Sequence, residues 1–174
     1  MFQQPCNWLD AYEYIVHFRR LFDGARSDNE YQNLIAVRPQ YKDEITRMIL
    51  LDFITRQDDR HLSNMAIKKS GGGESFYPLY DNGRSLFYEE TEEMVRQAVA
   101  DPAAYATSFG YSGTYWDHAR EIAGERGSLK GLLNLDISEA DVSAILKEAG
   151  FAGYRLHGAL EWVLKAVEMV QNIY

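Results

Sequence analysis

The chain is poor in cysteine, in long apolar runs and in positive charge. Cys6 is its one cysteine, so no intrachain disulfide can form, and a reducing, cytoplasmic setting is expected. No apolar stretch approaches the roughly 20 residues that a membrane span needs. The first residues hold no basic segment followed by an apolar run, so they do not read as a signal peptide. Net charge is -8, with acidic and basic residues interspersed. Such a surface repels phosphate backbones and argues against direct nucleic-acid binding. There is no internal repeat and no low-complexity linker.

What is present suffices for a core. Hydrophobic residues make up 46% of the chain and aromatics 13%, which argues against disorder. A length of 174 residues suits one domain, 1–174, or one lobe of a larger one.

The apolar pattern is mainly helical. Asn7 to Asp23 reads as an amphipathic helix, with Asn7 as N-cap, Trp8, Tyr12 and Ile15 on one face, and Gly24 as its stop. A short helix is expected from Asn29 to Val37, ended by Pro39. A third, from Tyr41 to Arg56, is apolar enough along Ile45 to Ile54 to be buried. Thr55 to Asn64 is polar and reads as a loop. Two short strands follow, Asn64–Lys69 and Phe76–Tyr80, joined by a turn over Ser70-Gly71-Gly72-Gly73-Glu74. Further helices are expected at Glu89–Ala100, Trp116–Ala123, Ile137–Ala149 (capped by Ser138) and Tyr154–Ile173. Asp101 to Thr114 reads as irregular. The expected fold class is mainly α with a small β-hairpin.

The most informative stretch is Thr55 to Asn64, T-R-Q-D-D-R-H-L-S-N, followed by Tyr80-Asp81-Asn82-Gly83. Asp59 stands five residues before Asn64, and Asp81 seventeen residues after it. Phosphoryl transfer asks a protein for an oriented hydroxyl and for cations beside the transferring phosphate. One carboxylate can orient the hydroxyl and accept its proton. An amide oxygen and a second carboxylate can hold Mg²⁺, a hard ion that prefers oxygen. Asp59, Asn64 and Asp81 supply that set in the order and spacing of a kinase. The hairpin should bring Asn64 and Asp81 to the same end of its ribbon. Single Asp and Asn residues are common in loops; the ordered set around a hairpin carries the signal.

From Ile49 to Leu86 the chain resembles the HipA-like serine/threonine kinases. The residues that carry the resemblance are Leu51-Asp52-Phe53-Ile54, then Asp59-Arg60-His61-Leu62-Ser63-Asn64, then Pro78-Leu79-Tyr80-Asp81-Asn82-Gly83-Arg84-Ser85-Leu86. Phosphoinositide 3- and 4-kinases are similar at Asp-Arg-His-x-x-Asn, but they usually continue to Asp-Phe-Gly rather than Asp-Asn-Gly. The resemblance implies a protein-kinase-like C-terminal lobe. It implies Asp59 as catalytic base, with Asn64 and Asp81 holding Mg²⁺ and, through it, ATP as co-substrate. His61 would brace the catalytic loop rather than bind metal. Asp58 is the adjacent carboxylate, set aside because the count to Asn64 selects Asp59. Many members carry Asn two residues before the catalytic Asp; Gln57 stands there in this chain. The family further implies a Ser or Thr acceptor and an antitoxin-like protein partner.

A complete kinase also has a Gly-rich loop over the nucleotide and a lysine on an N-lobe strand. The 58 residues before Asp59 read as helices. The chain therefore reads as a C-lobe without an N-lobe, and an N-lobe segment or second chain is an expected partner. Met65-Ala66-Ile67-Lys68 imitates the lysine motif but follows the catalytic loop. Gly71-Gly72-Gly73 imitates a phosphate cradle but opens no helix. Arg26, Arg38 and Lys42 are not placed where the phosphate lysine would be. Two other readings stand beside the HipA-like one: a non-catalytic, kinase-derived binding module, and a small-molecule or lipid kinase lobe.

Overall fold

The computed structural model of the protein describes residues 14–21, 29–107, 113–129 and 131–173. Its first element corrects the sequence reading. Tyr14–His17 is a strand, β1, within the stretch expected to be the helix Asn7–Asp23. Ile15, assigned to that helix's apolar face, is 44% exposed. The local run Tyr-Ile-Val is aromatic and β-branched, which suits a pleated edge. It also finds a strand to pair with, so its backbone groups are satisfied across a ladder instead of along a helix. Residues 7–13 and 22–23 of the expected helix lie outside the described residues.

The small hairpin is accordingly a three-stranded antiparallel sheet in the order β1-β2-β3. β2 spans Ala66–Ser70 and β3 spans Gly73–Phe76. Ser70 pairs with Gly73, so the turn is the two residues Gly71 and Gly72, tighter than expected. Gly73 has φ +126°, a conformation closed to most side chains, and this pins the turn. The returning strand is therefore earlier than the expected Phe76–Tyr80; Tyr77 N still donates to Ala66 O at 2.9 Å, and the chain then runs on to Tyr80 outside the strand. β1 pairs with β2 from Tyr14↔Lys69 to His17↔Ala66. Beyond the strand, Phe18 N donates to Met65 O at 2.9 Å and Arg19 N to Leu62 O at 3.1 Å. A short 3-10 turn, Phe18–Arg20, follows.

The helices fall close to expectation. α1 is Glu30–Val37, with the Asn29 side chain accepting from Gln32 N at 3.0 Å. α2 is Lys42–Ile54, and α3 is Glu92–Ala100, capped by Thr91. α4 is Tyr115–Arg126, opened by a Thr114–Asp117 capping box and closed by Gly127 in the left-handed region. α5 is Glu139–Glu148, opened by a Ser138–Asp141 box. α6 is the 19-residue helix Gly153–Gln171. The stretch expected to be irregular holds a 3-10 turn at Pro102–Ala104 and a bridge between Ala106 and Thr114. Among the described residues no helix is long and apolar enough to cross a membrane.

α2 and α6 run through the core. α2 packs on α1, α4 and α6, and α6 also packs on α3 and α5. Ile45, Met48, Ile49 and Phe53 of α2 are buried, as are Trp162, Ala166 and Val170 of α6. Trp162 Nε1 donates to Phe53 O at 3.0 Å, so the two helices share a hydrogen bond as well as apolar area. The sheet joins this core through Ile67 and through Phe76, whose ring meets Phe18 at 5.9 Å and Tyr41 at 5.8 Å. Trp162 thereby holds α2 one residue before its end, where the following loop begins, while the sheet meets Tyr41 at its start.

Candidate active site

α2 ends abruptly. Thr55 N bonds back to Leu51 O at 2.8 Å, and Arg56 then adopts φ +47° and turns the chain away. Its guanidinium lies over the Phe87 ring at 4.4 Å and the Tyr105 ring at 4.8 Å, and it pairs with Glu90. Cation–π contact and an ion pair together fix a turn that a β-carbon disfavours. Gln57 N reaches back to Asp52 O at 2.8 Å.

The loop that follows is wrapped around one buried cation. Arg60 is 1% exposed. Its Nε and Nη2 donate to the Asp52 carboxylate at 2.9 and 3.0 Å, a bidentate pair. Nη1 donates to Asn64 O at 3.0 Å and to Tyr80 O at 3.0 Å. Nη2 also donates to Asn82 Oδ1 at 2.5 Å. A single guanidinium thus ties the buried helix, the far end of the loop and the residues on both sides of Asp81. Five rigidly arranged N–H groups make Arg, and not Lys, suited to this.

Gln57, fully buried, adds a second tie. Its Nε2 lies 3.2 Å from both Asp81 O and Asn82 Oδ1, and its Oε1 accepts from Asp59 N at 3.1 Å. Asn64 N donates to His61 O at 2.8 Å, and Asn64 Nδ2 donates to Asp59 O at 2.8 Å. The amide nitrogen of Asn64 is therefore engaged within the loop, while its Oδ1 accepts no hydrogen bond from the described residues. His61 is exposed; its Nδ1 accepts from Ser63 N at 3.2 Å, and its Nε2 stands 3.8 Å from Asp59 Oδ1. Asp58 is directed elsewhere, accepting from Arg84 Nε at 3.0 Å.

Asp81 sits at φ +55° and is exposed. Asp tolerates this left-handed geometry better than most residues, and here the ties to its neighbours enforce it. No described residue donates a hydrogen bond to its carboxylate. The loop and the Asp81 segment lie together, as the shared Arg60 and Gln57 bonds require. Burial pushes the Asp52 carboxyl up to about 6, against the opposing pull of the Arg60 bonds and charge. Burial also raises the Tyr80 phenol, opposed by Arg60 and reinforced by Tyr77 and Asp81. The Asp58 hydrogen bond raises Arg84, so that exposed guanidinium is held charged.

No family model matches the chain, and no curated protein matches it in sequence. Among solved structures it is similar to the Helicobacter pylori proinflammatory kinase CtkA. The superposition has a TM-score of 0.63 and covers 92% of this chain and 66% of that one, at 12% identity. The fold is kinase-like. The chain spans just under two thirds of the length of the kinase it matches.

Within this kinase-like fold the oxygen donors fit a hard cation. Asn64 Oδ1 and the Asp81 carboxylate are a neutral and a charged oxygen that accept no hydrogen bond from the described residues, and such oxygens could serve a hard cation. Among those residues no cluster of three or more His, Cys, Asp and Glu side chains gathers as a metal cage. Mg²⁺ asks for less, since it keeps waters and uses substrate phosphates beside one or two protein oxygens. Arg60 and Asn82 are the residues that sequence reasoning left without a role. Arg60 lies inside the motif, but a string of letters does not show that its charge is buried. Asp52, eight residues upstream on a buried helix, was the available hint: an acid on an apolar face needs a partner.

Proposed function

We propose that the chain is the C-terminal lobe of a HipA-like kinase that uses ATP and Mg²⁺ to phosphorylate a Ser or Thr hydroxyl. The observation that carries the reading is the Arg60 anchor. It joins the segment bearing Asp59 and Asn64 to the segment bearing Asp81, two stretches whose spacing is that of a kinase. The kinase-like fold supports it independently.

Asp59 accepts the acceptor hydroxyl's proton and aims its oxygen. His61, beside it at 3.8 Å, steadies the carboxylate and the loop. Asn64 Oδ1 and Asp81 hold Mg²⁺, which when bound neutralises charge on the nucleotide phosphates. Gln57 keeps the Asp59 backbone in place from beneath. An N-lobe, as a further segment or a separate chain, supplies the Gly-rich loop and lysine. An antitoxin-like protein partner follows from the family resemblance alone.

Calorimetry with ATP and Mg²⁺ tests the reading. The wild-type chain, paired where needed with an N-lobe-bearing segment, should bind nucleotide in a Mg²⁺-dependent manner. Asp81→Ala should remove that dependence, and Asp59→Ala should leave binding while abolishing transfer. Binding that is indifferent to Asp81 would sink the metal assignment. Labelled-ATP profiling separates a protein hydroxyl from a lipid or small-molecule acceptor.

A further inference from the structure

We propose that His17 of β1 is a positioning residue for this site, bracing the two backbone segments that carry Asn64 and Asp81. The inference rests on the kinase reading above for what is being positioned, and on geometry for the brace itself. His17 Nδ1 lies 2.7 Å from Ser63 O and 2.9 Å from Tyr80 Oη. Tyr80 Oη in turn donates to Ser63 O at 2.7 Å. Ser63 directly precedes Asn64, and Tyr80 directly precedes Asp81. The three groups close a triangle whose corners are β1, the end of the catalytic loop and the entry to the metal segment.

The protonation follows from the acceptors. A backbone carbonyl can only accept, so at 2.7 Å from Ser63 O the Nδ1 atom must carry a proton. The neutral Nδ1–H tautomer and the imidazolium both meet this need, and Tyr80 supplies the second donor to the same oxygen. Fixing that carbonyl fixes the plane of the peptide whose N–H belongs to Asn64, already bonded to His61 O at 2.8 Å. The Tyr80 ring is held in turn by edge contacts to His17 at 6.3 Å and to Tyr77 at 5.7 Å.

β1 can act as a brace because it is itself anchored on both sides of the histidine. His17 pairs with Ala66, Phe18 N bonds Met65 O, and Arg19 N bonds Leu62 O. The strand therefore runs antiparallel to the chain just after and just within the catalytic loop. His17 makes no hydrogen bond to the Asp59, Asn64 or Asp81 side chain among the described residues, which makes it a positioning residue and not a catalytic one. Groups that orient metal ligands from outside typically change metal affinity when removed.

The test compares His17→Ala, His17→Asn and Tyr80→Phe with wild type, by calorimetry of Mg²⁺–ATP and by amide hydrogen exchange. The Asn amide nitrogen falls where the histidine Nδ1 was, so His17→Asn can restore the donor. His17→Ala should weaken Mg²⁺-dependent nucleotide affinity by about tenfold and speed exchange at the Asn64 and Asp81 amides. His17→Asn should recover most of both, and Tyr80→Phe should shift both in the same direction as Ala. Wild-type binding that His17→Ala leaves unchanged overturns the brace and leaves the kinase reading standing. An Asn variant as impaired as the Ala variant also overturns it. If wild type, paired where needed with an N-lobe-bearing segment, binds no Mg²⁺–nucleotide, the kinase reading fails instead, and the exchange rates alone then decide for or against the brace. Should His17→Ala fail to fold, Tyr80→Phe carries the same comparison.

Discussion

Arg60 concentrates more of the site's geometry than any residue assigned chemistry. A guanidinium buried to 1% exposure is tolerable only because the Asp52 carboxylate, two carbonyls and an amide oxygen surround it. Arg60→Ala strips a buried carboxylate of its partner and leaves those acceptors unpaired. It should lower unfolding free energy by about 3 kcal/mol or more, read from urea melts. Arg60→Lys should recover little, because one ammonium cannot span the same acceptors. Asp52 sets a pH dependence of definite sign. It ionises at about 6 in the folded chain and at about 3.9 when unfolded. The fold thus takes up this proton first as pH falls. Its contribution to stability grows as pH drops from about 6 towards 4, and is lost as pH rises through that window. Measured against Asp52→Asn, wild type should gain stability between pH 7 and pH 4; a constant difference between the two would refute this. The spacing of Asp59, Asn64 and Asp81 was readable as a kinase-like pattern because spacing lies along the chain itself. The roles of Arg60 and Asn82 were not, because they arise from burial and from a bond across the loop, which no spacing encodes.

Elements differ in how well the chain announces them, and the reason is where their partners lie. α1, α3, α4 and α5 are bounded by side-chain caps, signals contained within a few residues. α2 and α6 are long enough for an apolar stripe to show. β1 is four residues long and its identity depends on β2, some fifty residues away, so local periodicity misassigns it. The hairpin register failed for a different reason. Three consecutive glycines offer several equivalent turns, and pairing across the sheet, Ser70 to Gly73, chooses among them. Element packing also yields a sharp prediction at Gly158. A β-carbon there would stand 2.1 Å from Val95 Cγ1, so α3 and α6 touch through the missing side chain. Gly158→Ala gains about 1 kcal/mol of helix propensity. Overpacking against a stiff valine costs about 1–3 kcal/mol, so the net effect should be destabilising. Adding Val95→Ala should make room, and the double variant should be more stable than the two single losses sum to. Stabilisation by Gly158→Ala alone would show that the helices separate freely.

At the scale of the whole molecule, the question is whether the site unfolds with the core or apart from it. One apolar cluster runs from Phe18, just after β1, to Ile173, two residues beyond α6. The loop from Thr55 to Asn64 has no apolar core of its own, and of its residues only Leu62 packs on that cluster. It is attached to that cluster through Asp52 and Phe53 on one helix turn: Asp52 binds Arg60, and Phe53 gives its carbonyl to Trp162. Trp162 also meets Phe53 at 6.0 Å, Phe87 at 5.9 Å and Tyr105 at 5.4 Å, which links α6 to the segments on both sides of the site. With polar ties at one end and aromatic packing at the other, loop and core should lose structure together. Urea unfolding followed by far-UV circular dichroism and by tryptophan fluorescence should therefore give coincident transitions. Arg60→Ala should separate events that are joined in wild type: exchange at the Asn64 and Asp81 amides should rise towards that of an open loop while the helical signal keeps a single, shifted transition. If wild type already shows two transitions, or if these amides exchange freely before the helices melt, the site is a loosely attached loop and the Arg60 anchor does not hold it.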